Sequence, residues 1–204
     1  MTEIELAHVI HDRPDFNVIA GWVQPGERVL DLGCGDGAML RGLIDTRGVL
    51  GWGVELDDAK VLAAIRNGVN VIQGDLEGGL RDFEDGAFHH VILSLTLQAM
   101  KHTEGIINEM LRVGREAGVS FPNFGYWRHR QAILNGRMPV SESLPHQWYD
   151  TPNVRFFTIA DFDAFCAERN ILVRERKVFD AGREITEEHN FLGSIGVYRL
   201  GRAR

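Results

Sequence analysis

The residues most able to do chemistry sit in Val29-Leu30-Asp31-Leu32-Gly33-Cys34-Gly35-Asp36-Gly37, where an apolar run meets a glycine-crowded turn flanked by two carboxylates. Glycine at 33, 35 and 37 lets backbone approach a ligand where a Cβ would collide. The acids select the ligand: Asp31 and Asp36 repel a pyrophosphate and attract a group carrying an ammonium and a sulfonium. Gly33-x-Gly35-x-x-Ala38, with Glu55 twenty residues after Gly35, also satisfies the relaxed dinucleotide fingerprint, so spacing alone does not choose the cofactor. The acid pair and a second landmark, Gln73-Gly74-Asp75, turn the reading toward S-adenosylmethionine and away from a nicotinamide cofactor.

On that reading Gly33, Gly35 and Gly37 floor the methionine portion and Asp31 faces its amino group. Glu55, with Leu56 beside it, takes both ribose hydroxyls in charge-assisted bonds. Asp75 and the backbone of Leu76 hold adenine, and Ser94 to Thr96 close the far wall. Methyl transfer from a sulfonium needs positioning more than proton transfer, and a base only where the acceptor holds a proton. The catalytic candidates are His102, with Gln98 as a polar guide, and the group Tyr126, Arg128 and His129. Exposed loop residues without catalytic duty are the competing account of each. Trp52 reads as core. His89 and His90, adjacent on a strand, point to opposite faces and exclude a joint metal site. His8 and His11 share a helical spacing but lack an acid or cysteine nearby, and no metal is expected.

The elements that must position these groups alternate. Strands are expected at 28–32, 50–55, 69–73, 88–95 and 117–121, with Pro122 breaking the last. Helices are expected at about 37–46 and 58–67, with Gly48 and Gly68 just beyond them. Thr103 is placed as the cap of a helix carrying Ile106, Ile107, Met110 and Leu111, ended by Gly114. Thr158 and Asp161 form a loose capping box for a helix lined by Phe162, Phe165 and Cys166. Two closing strands follow at 171–179 and 191–200. A helical lead through Pro14 and a helix over 16–23, packed on the sheet edge, precede the first strand. The repeated units define an α/β, doubly wound parallel sheet with the ligand crevice beyond its strand ends and 88–95 central.

Residues 122–153 depart from this regularity, with prolines at 139, 145 and 152 and the aromatics Phe124, Tyr126, Trp127, Trp148 and Tyr149. The segment reads either as a lid or partner surface, or as an insertion packing its own aromatics.

The chain of 204 residues suits one domain, and 44% hydrophobic with 25% charged residues argues against disorder. No run approaches the roughly 20 apolar residues of a membrane helix, and the acidic start lacks the parts of a secretion signal, so a cytoplasmic setting is expected. Cys34 and Cys166 match no metal or redox spacing and are expected reduced, Cys34 as a small residue chosen to fit. A net charge of −7 disfavours nucleic acid as partner, despite Arg128, Arg130, Arg137, Arg202 and Arg204.

The motif at 28–37, Gly53-Val54-Glu55-Leu56-Asp57, Gln73-Gly74-Asp75-Leu76-Glu77, Leu93-Ser94-Leu95-Thr96-Leu97-Gln98-Ala99 and Ser120-Phe121-Pro122-Asn123-Phe124-Gly125 resemble the MetW family of methionine biosynthesis, within the class I S-adenosylmethionine-dependent methyltransferase superfamily. Gly136-Arg137-Met138-Pro139 and Trp148-Tyr149-Asp150-Thr151-Pro152-Asn153 are the more telling segments. The likeness covers nearly the whole chain. It implies a seven-stranded sheet with the last strand antiparallel, S-adenosylmethionine or S-adenosylhomocysteine as ligand, and a role as accessory or regulatory partner of homoserine O-acyltransferase. The alternative is a working methyltransferase on a small acceptor.

Overall fold

The computed structural model describes residues 13–203. The lead before Pro14, the pair His8 and His11, and Arg204 lie outside the described residues. One sheet organises the rest. Helix α1 (Pro14–Trp22) precedes β1 (Arg28–Leu32), α2 (Ala38–Arg47), β2 (Leu50–Glu55), α3 (Asp58–Arg66) and β3 (Asn70–Gln73). After a 3-10 turn at Leu76–Gly78 come β4 (Phe88–Ser94), α4 (Thr103–Val113), β5 (Gly114–Pro122) and α5 (Trp127–Leu134). The chain closes with α6 (Ile159–Glu168), β6 (Ile171–Asp180), β7 (Arg183–Glu184), α7 (His189–Leu192) and β8 (Ile195–Arg202).

The strand order is β3-β2-β1-β4-β5-β8-β6-β7. Strands β3, β2, β1, β4 and β5 are parallel, and β8 runs antiparallel between β5 and β6. The chain steps outward from β1 to β3 on one side and resumes at β4 on the other. That reversal opens a crevice at the carboxyl ends of β1 and β4.

Buried strands alternate their side chains between two apolar layers. Leu30, Leu32, Val91 and Leu93 pack with Ile107 and Met110 of α4 and Phe162 of α6. Val29 and Ile92 pack on the other face with Ile19 of α1 and Leu40 and Leu43 of α2. The α4 stripe of Ile106, Ile107, Met110 and Leu111 is buried, as its spacing predicts. The capping box at Thr158 and Asp161 is complete, each side chain accepting from the other's backbone N–H.

Four expectations change. The sheet has eight strands, because the turn at Ala181 and Gly182 folds two residues back on β6 as β7, too short for a periodicity to show. Helix α1 lies over the middle of the sheet and not its edge: a Cβ on Gly118 of β5 would sit 3.4 Å from the Trp22 ring, so that glycine makes room for the helix. Thr103 is the first residue of α4, behind an N-cap at His102 that makes no side-chain cap bond. The last strand starts at Ile195, because Phe191 belongs to α7.

Asn123, fully buried just past β5, ties the later segments together. Its amide donates to the carbonyls of Gly193 (2.7 Å) and Asn190 (3.2 Å), and its oxygen accepts from the backbone N–H of Gly125 and Ile159. Among the described residues no helix is long and apolar enough to cross a membrane.

Candidate functional site

The glycine turn leaves β1 and leans on β2, where the N–H groups of Gly33 and Cys34 both donate to the Val54 carbonyl at 2.8 and 3.1 Å. All three glycines have positive φ, but their surroundings differ. A Cβ on Gly33 would meet Thr96 Oγ1 at 2.9 Å, and one on Gly37 would meet Val69 Cγ2 at 2.9 Å. A Cβ on Gly35 would meet nothing within 4 Å, so only its left-handed φ of 59° calls for glycine there, and its face is open.

The two acids of the turn part company. Asp36 is exposed and its Oδ1 accepts from Ala38 N–H, so it fills the N-terminus of α2, where a dinucleotide fold seats its pyrophosphate. Asp31 is 3% exposed and turns to the layer that holds α1. Among the described residues no hydrogen-bond donor reaches its carboxylate. Burial, opposed by the Arg13 charge and reinforced by Glu55 and Asp15, raises it to about 7.

Glu55, at the end of β2, is buried and bridges two turns. Its Oε2 accepts from Gly35 N–H at 2.9 Å, and its Oε1 accepts from Leu56 and Asp57 N–H at 2.9 and 3.0 Å. An unused lone pair remains on Oε2. Leu56, the next residue, is 62% exposed, an apolar surface at the crevice mouth. Asp75 is exposed and caps the 3-10 turn by accepting from Glu77 N–H at 2.9 Å, which leaves Oδ2 available, and Leu76 beside it is half-buried. Trp52 packs edge-on against Phe88 in the core. The Cys34 thiol lies under Gly53 and is pushed up to about 12 by burial and then by Asp31 and Glu55, the setting of an inert packing group.

Ser94 joins a buried polar network. Its hydroxyl donates to Asp15 Oδ2 at 2.7 Å and accepts from Arg13 Nη2 at 2.8 Å. Asp15 is fully buried, held by Arg13 through two bonds of 2.9 and 2.8 Å and by the Ser120 hydroxyl at 2.9 Å. Burial would raise the Asp15 carboxyl, but the bonds and charge of Arg13, with Ser94 and Ser120, hold it below the usual carboxylate range. Arg13, Asp15 and Ser120 escaped the sequence reading. The signal available was the charged triplet Arg13-Pro14-Asp15 ahead of an apolar helix, together with Ser94 and Ser120 at paired positions of neighbouring strands.

Of the catalytic candidates, Tyr126 and Arg128 line one cavity and the His129 ring lies 5.2 Å from that of Tyr126, whereas His102 lies apart from them. His102 is exposed and pairs with Glu77 at 2.6 Å beside the Asp75 turn. Tyr126 is buried past β5, donating to Asp180 Oδ2 at 3.1 Å, and burial followed by that bond raises its phenol. His129 is a buried structural residue whose two ring nitrogens meet the Asn123 carbonyl and the Ser141 hydroxyl, each at 2.9 Å. Gln98 Nε2 donates to the Leu95 carbonyl and its backbone carbonyl accepts from Val154 and Arg155 N–H, so it braces the returning chain, while its buried Oε1 meets no donor among the described residues. His89 and His90 face opposite ways, toward Arg28 and toward Glu27. No group of three or more His, Cys, Asp or Glu among the described residues is placed to hold a metal.

Within 122–153 some aromatics fold inward and others do not. Phe124 meets Phe156 at 5.0 Å and His129 at 6.1 Å, and Leu144 is buried. Trp148 and Tyr149, edge to face at 5.6 Å, are 72% and 71% exposed. Trp148 also borders a cavity of about 280 Å³ with Met138, Leu144 and Phe156.

A doubly wound sheet with an acidic crevice at its switch point defines the class I S-adenosylmethionine-dependent methyltransferase fold, and solved structures agree. An S-adenosylmethionine-dependent methyltransferase from Mesorhizobium loti superposes with a TM-score of 0.69 at 14% identity, covering 93% of this chain and 98% of that one. Magnesium protoporphyrin IX methyltransferase from Synechocystis, solved with bound S-adenosylhomocysteine, gives 0.67 at 13% identity, covering 100% and 89%. The sequence profile described as "Methionine biosynthesis protein MetW" matches residues 13–200, and the chain belongs to that family. It is also 39% identical over 168 residues to the bifunctional methionine biosynthesis protein MetXA/MetW of Rhodopirellula baltica, which covers 78% of this chain and 27% of that relative.

Proposed function

We propose that the crevice binds S-adenosylmethionine or S-adenosylhomocysteine and that the protein serves methionine biosynthesis in the cytoplasm as an accessory or regulatory partner of homoserine O-acyltransferase. The observation that carries the ligand is Asp31, a buried carboxylate lacking a donor among the described residues, beside the open face of Gly35. An ammonium group on the ligand donates to this carboxylate. Glu55 receives the ribose hydroxyls, on Oε2 through its unused lone pair and on Oε1 by exchange for a backbone N–H. Asp75 accepts from the adenine amino group, with the Leu76 backbone, and Leu56 covers the ring. Gly33 and Gly37 shape the floor by packing, and Ser94 closes the wall through its bonds to Arg13 and Asp15. When bound, S-adenosylmethionine presents a methyl group on a sulfonium.

The partner role is supported by the relative that joins MetXA and MetW in one polypeptide. It is supported also by the engagement of Tyr126 and His102 in structural bonds. The exposed Trp148 and Tyr149 supply the contact surface. The reading is tested by calorimetric titration with S-adenosylhomocysteine and by mixing the protein with the acyltransferase. Binding of the nucleoside, a complex at micromolar concentration and a changed acylation rate are expected. Failure of the first removes the ligand, and failure of the others removes the partner.

The cavity past Leu95, with its arginines and carboxylates, favours a second reading, methyl transfer to a small acceptor. Radiolabel from methyl-labelled cofactor appearing in a fraction of cell extract would establish it.

A further inference from the structure

A cavity of about 200 Å³, lined by both charged and apolar side chains, opens beside the crevice, past the ends of β4 and β6. It is smaller than the roughly 300 Å³ at which sites for drug-sized ligands begin, so its occupant is small. Two cations reach it. Arg13 is fixed by Asp15 and Ser94 through Nε and Nη2, which leaves Nη1 unpartnered among the described residues. Arg128, exposed and stacked on Trp127 at 5.3 Å, forms no ion pair among the described residues. Two carboxylates line the same space: Asp180, whose Oδ1 is unused while Oδ2 accepts from Tyr126, and Glu142. Pro14, Leu95, Phe179 and Ile195 supply apolar wall.

A second observation marks the cavity. Four non-glycine residues among those described have positive φ, and two of them, Leu95 (φ 48°) and Ala181 (φ 45°), line it. Backbone held in so sparsely populated a region gathers at ligand clamps. Leu95 follows Ser94, and Ala181 follows Asp180, so both strained residues aim elements that carry the polar groups.

We propose that this cavity is a second ligand site, taking a small apolar α-amino acid: its carboxylate between Arg13 and Arg128, its ammonium on Asp180, its side chain against Leu95 and Ile195. A lone carboxylate would leave Asp180 and Glu142 unanswered, and a lone amine would leave two guanidiniums unanswered. The zwitterion satisfies both, and charge-assisted bonds of this kind are the stronger ones. The site stands apart from the cofactor crevice, but Arg13, which lines it, also bonds Ser94 of the crevice wall, so occupancy of one is felt at the other.

The test titrates L-methionine, L-leucine and L-homoserine into protein saturated with S-adenosylhomocysteine, so that no probe enters the crevice. The decarboxylated amine and deaminated acid of L-methionine follow. Binding of L-methionine or L-leucine, at least tenfold weaker binding of both analogues, and about tenfold loss in Arg128→Gln are expected, with partial recovery in Arg128→Lys. Unchanged nucleoside binding by Arg128→Gln shows that the variant is folded. No heat from any amino acid at millimolar concentration overturns the proposal, as does equal binding by either analogue or by Arg128→Gln. If the nucleoside itself does not bind, the cofactor reading fails separately and the same titrations on the protein alone decide this one.

Discussion

The Glu55 carboxylate accepts the Gly35 backbone N–H at 2.9 Å, so the acid that ends β2 also sets the shape of the turn that leaves β1. With Leu56 and Asp57 it answers three backbone donors from one side chain.

Glu55→Ala is therefore expected to act on fold and ligand together. Leaving three donors without a charged acceptor should lower unfolding stability by about 3 kcal/mol, read by urea denaturation. Loss of the ribose contacts should weaken S-adenosylhomocysteine by about 2–4 kcal/mol in calorimetry. A variant with unaltered affinity would remove Glu55 from the site.

Asp31 gives a pH signature. Burial raises its carboxyl from 3.8 to about 7, so its contribution to stability is complete below the unfolded value and is lost as pH rises through the folded one. Asp31→Asn should thus gain on the native chain between about pH 5 and about pH 8, by on the order of 3 kcal/mol. The ligand's ammonium needs the ionised form. Affinity for S-adenosylhomocysteine should rise over about pH 6 to 8 and binding should release a proton, visible as heats that vary with buffer ionisation enthalpy. Heats independent of buffer would refute the contact.

The glycines separate packing from reception. Gly37→Ala meets Val69 in a left-handed backbone and should cost about 2–4 kcal/mol in denaturation, strain and overpacking combined. Gly35→Ala meets no neighbour and should cost only the roughly 1–2 kcal/mol of its left-handed φ, yet block the nucleoside. Equal affinity in Gly35→Ala and native protein would place the ligand elsewhere.

Trp148→Ser combined with Tyr149→Ser should leave stability within about 0.5 kcal/mol, because both rings are exposed. The same pair should weaken acyltransferase capture by at least about 2 kcal/mol in a pull-down titration. Undiminished capture would move the docking surface off this segment.

The parallel core was legible because its signals are local. A buried strand reads as a short apolar run, and β1, β2, β4 and their helices fall within a residue or two of expectation. Gly33, Gly35, Glu55 and Asp75 stood out for the same reason, being strand-end residues at fixed spacing. Asp15 was illegible because its partners Ser94 and Ser120 lie 79 and 105 residues away. Asp31 and Asp36 looked like one acidic pair until the strand carried one inward and the turn carried the other out. His102, read as a loop base, is the N-cap of α4, since nothing in sequence announces its bond to Glu77.

Asn123 has every polar atom of its side chain engaged by Asn190, Gly193, Gly125 and Ile159, at the start of the aromatic segment. With Gln98, whose backbone carbonyl accepts from Val154 and Arg155 N–H at the far end, it holds the segment like an arch on two piers, and the order a docking partner would otherwise have to impose is already in place. Changes on the rim of that arch should then register in how long a complex lasts and not in how fast it forms.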